Sequence, residues 1–240
     1  MASGECDAVR DAVPEWFWLD TGCGGAAFNM AVDEALLEAV AGLGRPVLRF
    51  YGWREPAATF GYSQRLHEVQ RMTSLRPLVR RPTGGGIVPH DRDWTYTLVI
   101  PPGHEWCAIQ ARESYRRVHV WVQGACSRLG IAAQLAPAGC KGSRGQCFAG
   151  GAEQWDVVWE AQKIAGAAQR RNRLGLLIQG SVQFPEGRGK RVAWEFAARE
   201  EGSRQWGCRW RQWNLTTALD RRAGELAAAK YGNPAFTAMR

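Results

Sequence analysis

Residues 80–91 read RRPTGGGIVPHD, two arginines followed by three consecutive glycines and, past a short apolar step, a histidine beside an aspartate. A glycine loses more conformational freedom on folding than any other residue, so three in a row are costly unless the backbone must approach something closely or take positive φ. With Arg80 and Arg81 beside it, such a loop suits an anion or a polarised carbonyl. An ordinary Gly-rich hairpin connection explains the same run with no chemistry. The second position able to do chemistry is Cys147 in GQCFAGG, within a loop of glycines and small residues. As a thiolate it would be a nucleophile. Taken alone, a lone cysteine is better read as a small buried apolar residue. Cys140, in the same loop, is the nearest competitor, whereas Cys6, Cys23, Cys107, Cys126 and Cys208 stand in no motif. The four histidines (His67, His90, His104, His119) are scattered and no CxxC or HExxH occurs, so no metal site is expected.

Stepping outward, 240 residues with 45% hydrophobic and 22% charged content fit a globular chain of one large domain or two small ones. A formal net charge of +8 invites nucleic acid and fits an acidic protein partner equally well. The arginines fall in scattered pairs, Arg80-Arg81, Arg116-Arg117, Arg170-Arg171 and Arg221-Arg222, which weighs against nucleic acid. The opening MASGECDAVRDAVPEW lacks the charged-then-apolar layout of a secretory signal, and no stretch approaches the ~20 apolar residues of a membrane span. Seven cysteines at irregular spacings argue for reduced thiols in the cytoplasm, with no membrane partner. The twelve tryptophans are expected in the core or in pocket walls.

The elements that must position these residues are then read from pattern. WFWLD is a strand, TGCGG a turn, and FNMAVDEALLEAVAGLG a helix with Asn29 as its N-cap, Asp33 and Glu34 near its positive end, and Gly42 and Gly44 at its stop. PVLRFYGW and PAATFGYSQ are strands; a short strand enters the glycine loop and DWTYTLVIPP leaves it. Tyr115, Val118, Val122, Ala125 and Leu129 share one helical face. WDVVWEAQKIAGAAQRR gives an extended run and a turn, GLLIQGSVQF a strand, and NLTTALDRRAGELAAAKYG a helix, while 185–210 carries a Gly/Arg-rich turn and an unassigned amphipathic piece. These elements add up to a single α+β domain with a central mixed β-sheet flanked by helices.

FNMAVDEALLEA, RFYGWREPAATFGYSQ, RRPTGGGIVPHD, the CF at 147–148 and KIAGAAQRR with GLLIQGSV together resemble the lipoate-protein ligase and octanoyltransferase family, in order, over residues 16–235. The resemblance implies a biotin/lipoate protein ligase-like (class II synthetase-like) catalytic domain over 16–235, an N-terminal extension over 1–15 and no C-terminal accessory domain. It implies an acyl pocket lined by Arg81, Thr83, Gly84, Gly85, Gly86, His90 and Gly166; His90 is open to reading as a base or as a histidine packed under the loop and hydrogen-bonded to backbone, and is assigned to positioning. A bulky side chain at Gly85 would fill the acyl tunnel. Lys163 is placed against the activated acyl carbonyl or adenylate, and Cys147 stands where one octanoyltransferase branch carries its acyl-accepting cysteine, its thiolate favoured by Lys163 and loop amides. Pro82, Pro89, Ala161, Gln162 and Ala167 depart from the family's more usual choices.

Two chemistries follow from the resemblance. The better fit is a transferase that moves octanoyl or lipoyl from acyl carrier protein, or a lipoylated donor protein, through Cys147 to a lysine of a lipoyl domain or glycine-cleavage H protein, with no cofactor and no metal. The alternative is a lipoate-protein ligase using ATP and Mg²⁺ through a lipoyl-adenylate. From a different class, a non-catalytic binding module with a basic surface is the third reading.

Overall fold

A computed structural model describes residues 13–140, 142, 145–184 and 190–239. In chain order the elements are β1 (Glu15–Gly24), α1 (Ala26–Leu43), β2 (Val47–Trp53), β3 (Ala57–Phe60), α2 (Leu66–Met72), β4 (Leu78–Arg80), β5 (Val88–His90), β6 (Trp94–Ile100), α3 (Glu105–Ala108) and α4 (Ala111–Arg128). They continue with β7 (Gln134–Leu135), β8 (Val157–Trp159), β9 (Gln162–Asn172), β10 (Gly175–Val182), α5 (Arg191–Trp206), β11 (Arg209–Gln212), α6 (Thr217–Leu226), a π-helical turn Ala227–Tyr231 and α7 (Pro234–Ala238). Eight strands form one mixed sheet in the order β11-β1-β2-β6-β10-β9-β8-β7, and β4-β3-β5 form a second, small sheet. The fold is therefore α+β with a central mixed sheet, as the pattern predicts.

Strand alternation sorts the core into two layers. On β6 and β10, Tyr96, Leu98, Ile100, Leu176 and Ile178 face α4 and α5, where Val118, Trp121, Trp194 and Ala197 close the layer. Val99 and Leu177 point the other way, against Leu36, Leu37 and Val40 of α1 and Ala223 of α6. The tryptophans gather mainly in the first layer, with Trp16 stacked on Trp206 at 5.1 Å. Among the described residues no helix is long and apolar enough to cross a membrane.

Several local expectations need correction. Asn29 is not the cap of α1: the helix starts at Ala26 after Gly25. Instead Asn29 is buried, donating to the carbonyls of Gly24 (3.3 Å) and Gly52 (2.9 Å). Asp33 belongs to the second turn and serves a buried ion pair with Arg49 at 2.6 Å, not the helix dipole. TGCGG is no turn but the end of β1, bent by an irregularity in its pairing with β2 between Asp20 and Cys23. The glycine loop leaves into β5 of the small sheet before the chain reaches β6. KIAGAAQRR lies wholly in β9, and the reversal before it is made by Glu160 and Ala161 at φ 48° and 63°. The unassigned piece is α5 and β11, while 185–189 lie outside the described residues.

Candidate active site

A cavity of about 670 Å³ is bounded by β6, β9 and β10 of the large sheet, by β3 and β5 of the small one, and by the loops carrying Gly85 and Cys147. Of the residues singled out in the sequence, Arg81, Gly85, Gly86, His90, Cys147, Lys163 and Gly166 line it. Thr83 and Gly84 do not, and neither does Cys140.

The two arginines before the glycines have separate work. Arg80 ties loop to tail, donating to the carbonyls of Tyr62 (2.6 Å), Gln64 (2.7 Å) and Thr237 (2.8 Å). Arg81 is buried at the cavity wall and donates to the carbonyls of Gly84 (2.5 Å) and Gly86 (2.8 Å) and to the Thr83 hydroxyl (3.2 Å). Gly85 sits at φ +88°, and a Cβ there would lie 2.9 Å from Arg81 Nη2. The bulky side chain expected to fill a tunnel would thus first displace Arg81. A Cβ on Gly86 would meet the backbone of Gly145 at 2.9 Å and Cys147 N at 3.0 Å. That closeness exists because Ile87 N donates to Gly145 O (2.8 Å) and Cys147 N donates to Ile87 O (2.9 Å). The glycines wrap a guanidinium and let the cysteine loop lie against them. Gly84 meets no such constraint.

Arg81 is held from behind. Thr83 Oγ1 donates to Gln179 Oε1 (2.7 Å), and Gln179 Nε2 donates to Asp33 Oδ2 (2.7 Å), so the buried Asp33–Arg49 pair fixes the amide that fixes Thr83. Burial pulls the Arg81 guanidinium down to about 10, opposed first by the negative charge of a Cys147 thiolate.

Cys147, half-buried, faces Lys163 across Gly166. A Cβ on Gly166 would lie 2.9 Å from Lys163 Nζ and 3.3 Å from Cys147 Sγ, so the missing side chain is the space where thiol and ammonium meet. Lys163 Nζ is 2.6 Å from Asp156 Oδ2, and both side chains are buried. Asp156 further accepts from Tyr115 Oη (2.5 Å) and from Glu153 N (2.7 Å). Burial alone would lower the Lys163 pKa, but the Cys147 and Asp156 charges reverse this and hold it above the ordinary lysine value. Burial and the neighbouring Asp156 raise the Tyr115 phenol well above its usual range. Asp156 and Tyr115 have no mark in the sequence: within WDVVWE the aspartate looks like an ordinary turn acid, and Tyr115 counts as helix-face packing.

His90 is buried, but its partners are side chains, not the expected backbone. Nδ1 lies 2.8 Å from Asp93 Oδ2, Nε2 lies 2.8 Å from Thr59 Oγ1, and the ring stacks on Trp53 at 3.7 Å.

The family model for the lipoyl protein ligase A/B catalytic domain matches residues 25–185. The chain belongs to this family. It is 38% identical over 180 residues to the octanoyltransferase LipM of Kyrpidia tusciae and 34% identical over 181 residues to that of Staphylococcus aureus, the match covering 70% of this chain in both cases. The chain spans 65% of the length of these relatives. In fold it is similar to protein Ta0514 of T. acidophilum with bound lipoic acid, at a TM-score of 0.76 and 20% identity, covering 94% of this chain and 100% of that one. Lipoate-protein ligase A bound with ATP superposes at a TM-score of 0.73 and 20% identity, covering 93% of this chain and 98% of that one.

Proposed function

We propose that the chain is an acyltransferase that moves an octanoyl or lipoyl group from a carrier-protein thioester, through a thioester on Cys147, to a lysine of a lipoyl domain or H protein. The observation that carries this reading is the meeting of Cys147 Sγ and Lys163 Nζ over Gly166, inside a cavity of about 670 Å³. The names of the curated relatives support the transfer of octanoyl.

The Cys147 thiolate attacks the donor carbonyl, forming a C–S bond and a tetrahedral oxyanion. Lys163, kept cationic by Asp156, and Arg81, whose acceptors in the loop are neutral oxygens, supply positive charge where that oxyanion develops. The oxyanion collapses and the donor sulfur leaves as a thiolate, taking up a proton from solvent. Exchange of one thioester for another is close to isoenergetic, and aminolysis by the acceptor is downhill, so no ATP is required. The acceptor nitrogen then forms the amide and Cys147 is released.

The test is transfer from octanoyl-acyl carrier protein to an apo lipoyl domain and to apo H protein without ATP, read as intact mass of the acceptor. Modification without ATP, lost in Cys147→Ala, is expected. Modification only from free acid with ATP and Mg²⁺, retained in Cys147→Ala, would make the chain a ligase.

A further inference from the structure

The acceptor lysine arrives as an ammonium, and its nitrogen must shed a proton before it can attack. Lys163 has no lone pair to receive it, being an ammonium held 2.6 Å from Asp156. We propose that the Thr59 hydroxyl and His90, oriented by Asp93, take this proton in the second half of the reaction. This rests on the acyl-enzyme reading above and adds the base that reading lacks.

Hydrogen-bond directions carry the assignment. Thr59 Oγ1 has two partners among the described residues: Arg81 Nη1, which can only donate (3.4 Å), and His90 Nε2 (2.8 Å). With Arg81 donating to Oγ1, the arrangement that pairs every group has the hydroxyl proton on a lone pair at Nε2 and the ring proton on Nδ1, facing Asp93 Oδ2 at 2.8 Å. Thr59 and His90 both line the cavity. This is the oriented tautomer that lets a carboxylate-backed imidazole accept a proton at its outer nitrogen.

A second observation is independent of the first. Asp93 Oδ2 takes three donors, His90 Nδ1, Thr95 Oγ1 (3.0 Å) and Ser181 Oγ (2.7 Å), yet Asp93 Oδ1 is buried with no hydrogen-bond partner among the described residues. The carboxylate lies on Nδ1, beside the ring that carries positive charge once Nε2 has taken up the proton, and the ring rests on the face of Trp53. Arg81, donating to Thr59, is the opposing charge.

The step balances. One ammonium proton passes to Thr59 Oγ1 as the Thr59 proton passes to His90 Nε2. The freed amine lone pair forms the C–N bond. On collapse the C–S electron pair returns to Cys147 Sγ, which takes the second nitrogen proton and ends as the thiol. His90 leaves the step as imidazolium against Asp93 and discharges to water.

The experiment starts from octanoyl-Cys147 enzyme, formed with a donor thioester, and follows its deacylation by an apo lipoyl domain across pH. His90→Gln is expected to slow deacylation about 10²-fold at neutral pH, with the gap to wild type closing as pH rises and the acceptor deprotonates unaided. Hydroxylamine, already an unprotonated amine at neutral pH, should deacylate variant and wild type at equal rates. Thr59→Val, which keeps the ring, carries the same expectation should His90→Gln not fold. A gap that is constant across pH, or an equal slowing with hydroxylamine, would overturn the proposal and leave His90 as packing. Absence of any acyl-enzyme in wild type is a separate failure, which removes the Cys147 reading and this proposal with it.

Discussion

Lys163 Nζ and Asp156 Oδ2 stand 2.6 Å apart with both side chains buried, and the same ammonium neighbours Cys147 over Gly166. Asp156 thus fixes where the cation sits, and in the proposed acyl-enzyme, where Cys147 carries no charge, it remains the partner of the Lys163 ammonium. Asp156→Asn leaves the ammonium buried and unpaired, a change that costs roughly 3–5 kcal/mol in comparable pairs. Thermal melting should show that loss, and single-turnover acylation should fall about 10²-fold. Because the folded-state pKa of Lys163 is raised, the pair's contribution is fully present below the ordinary lysine value, about 10.4. The stability gap between wild type and variant should stay flat through neutral pH and narrow only in strong alkali.

Gly166→Ala separates fold from chemistry. Its Cβ would come 2.8 Å from Lys163 Cε and 2.9 Å from Nζ, the far end of a flexible side chain, so the lysine moves and the backbone does not. Melting should drop by no more than about 1–3 kcal/mol, the usual range for overpacking. Acylation of Cys147 should fall by about 10²-fold, and an alanine variant with wild-type acylation would show that thiol and ammonium need not meet.

The glycine loop offers an internal control. Gly84→Ala adds a Cβ with nothing within 4 Å and should leave activity and melting unchanged. Gly85→Ala forces a side chain to φ +88° and against Arg81, costing about 1–2 kcal/mol from the backbone conformation alone. It should also slow transfer. Equal tolerance at the two positions would mean that Arg81 is not held by this loop.

Much of this was legible in the sequence where the signal is local. The mixed α+β fold, the glycine loop and most strands follow from patterns within a few residues. What was not legible depends on partners distant in the chain. Asn29 looks like a cap until Gly52, on β2, takes its amide. Asp156 becomes part of the site only because β8 pairs with β9 through an irregularity between Val157 and Val158 that brings Lys163 back over it. Residues 191–206 resist assignment because α5 inverts the usual pattern: Val192 and Phe196 are 77% and 60% exposed while Glu195 and Glu201 are buried. Glu201 earns its burial from Arg204, one helical turn on, and from Arg128 of α4, which is distant in the chain.

His119 predicts an acid-side weakness. It is fully buried, neither ring nitrogen makes a well-formed hydrogen bond among the described residues, and burial first, with Lys163 adding and against the Asp156 charge and the Tyr115 backbone, pulls its pKa down to about 4. The unfolded chain binds this proton near pH 6.5, the folded chain only near 4, so stability is unaffected above about 6.5 and falls as pH drops between the two. The loss should reach about 3 kcal/mol. Denaturant midpoints followed from pH 7 to 4 should fall for wild type and flatten in His119→Phe; parallel slopes would place the acid sensitivity elsewhere.

The proposed acyl-enzyme is sought by peptide mapping after brief incubation with octanoyl-acyl carrier protein, with no ATP and no acceptor present. One octanoyl group is expected, on Cys147, discharged when apo lipoyl domain is added. An adduct on Cys140, or no adduct while the acceptor is nonetheless modified, would contradict the Cys147 acyl-enzyme.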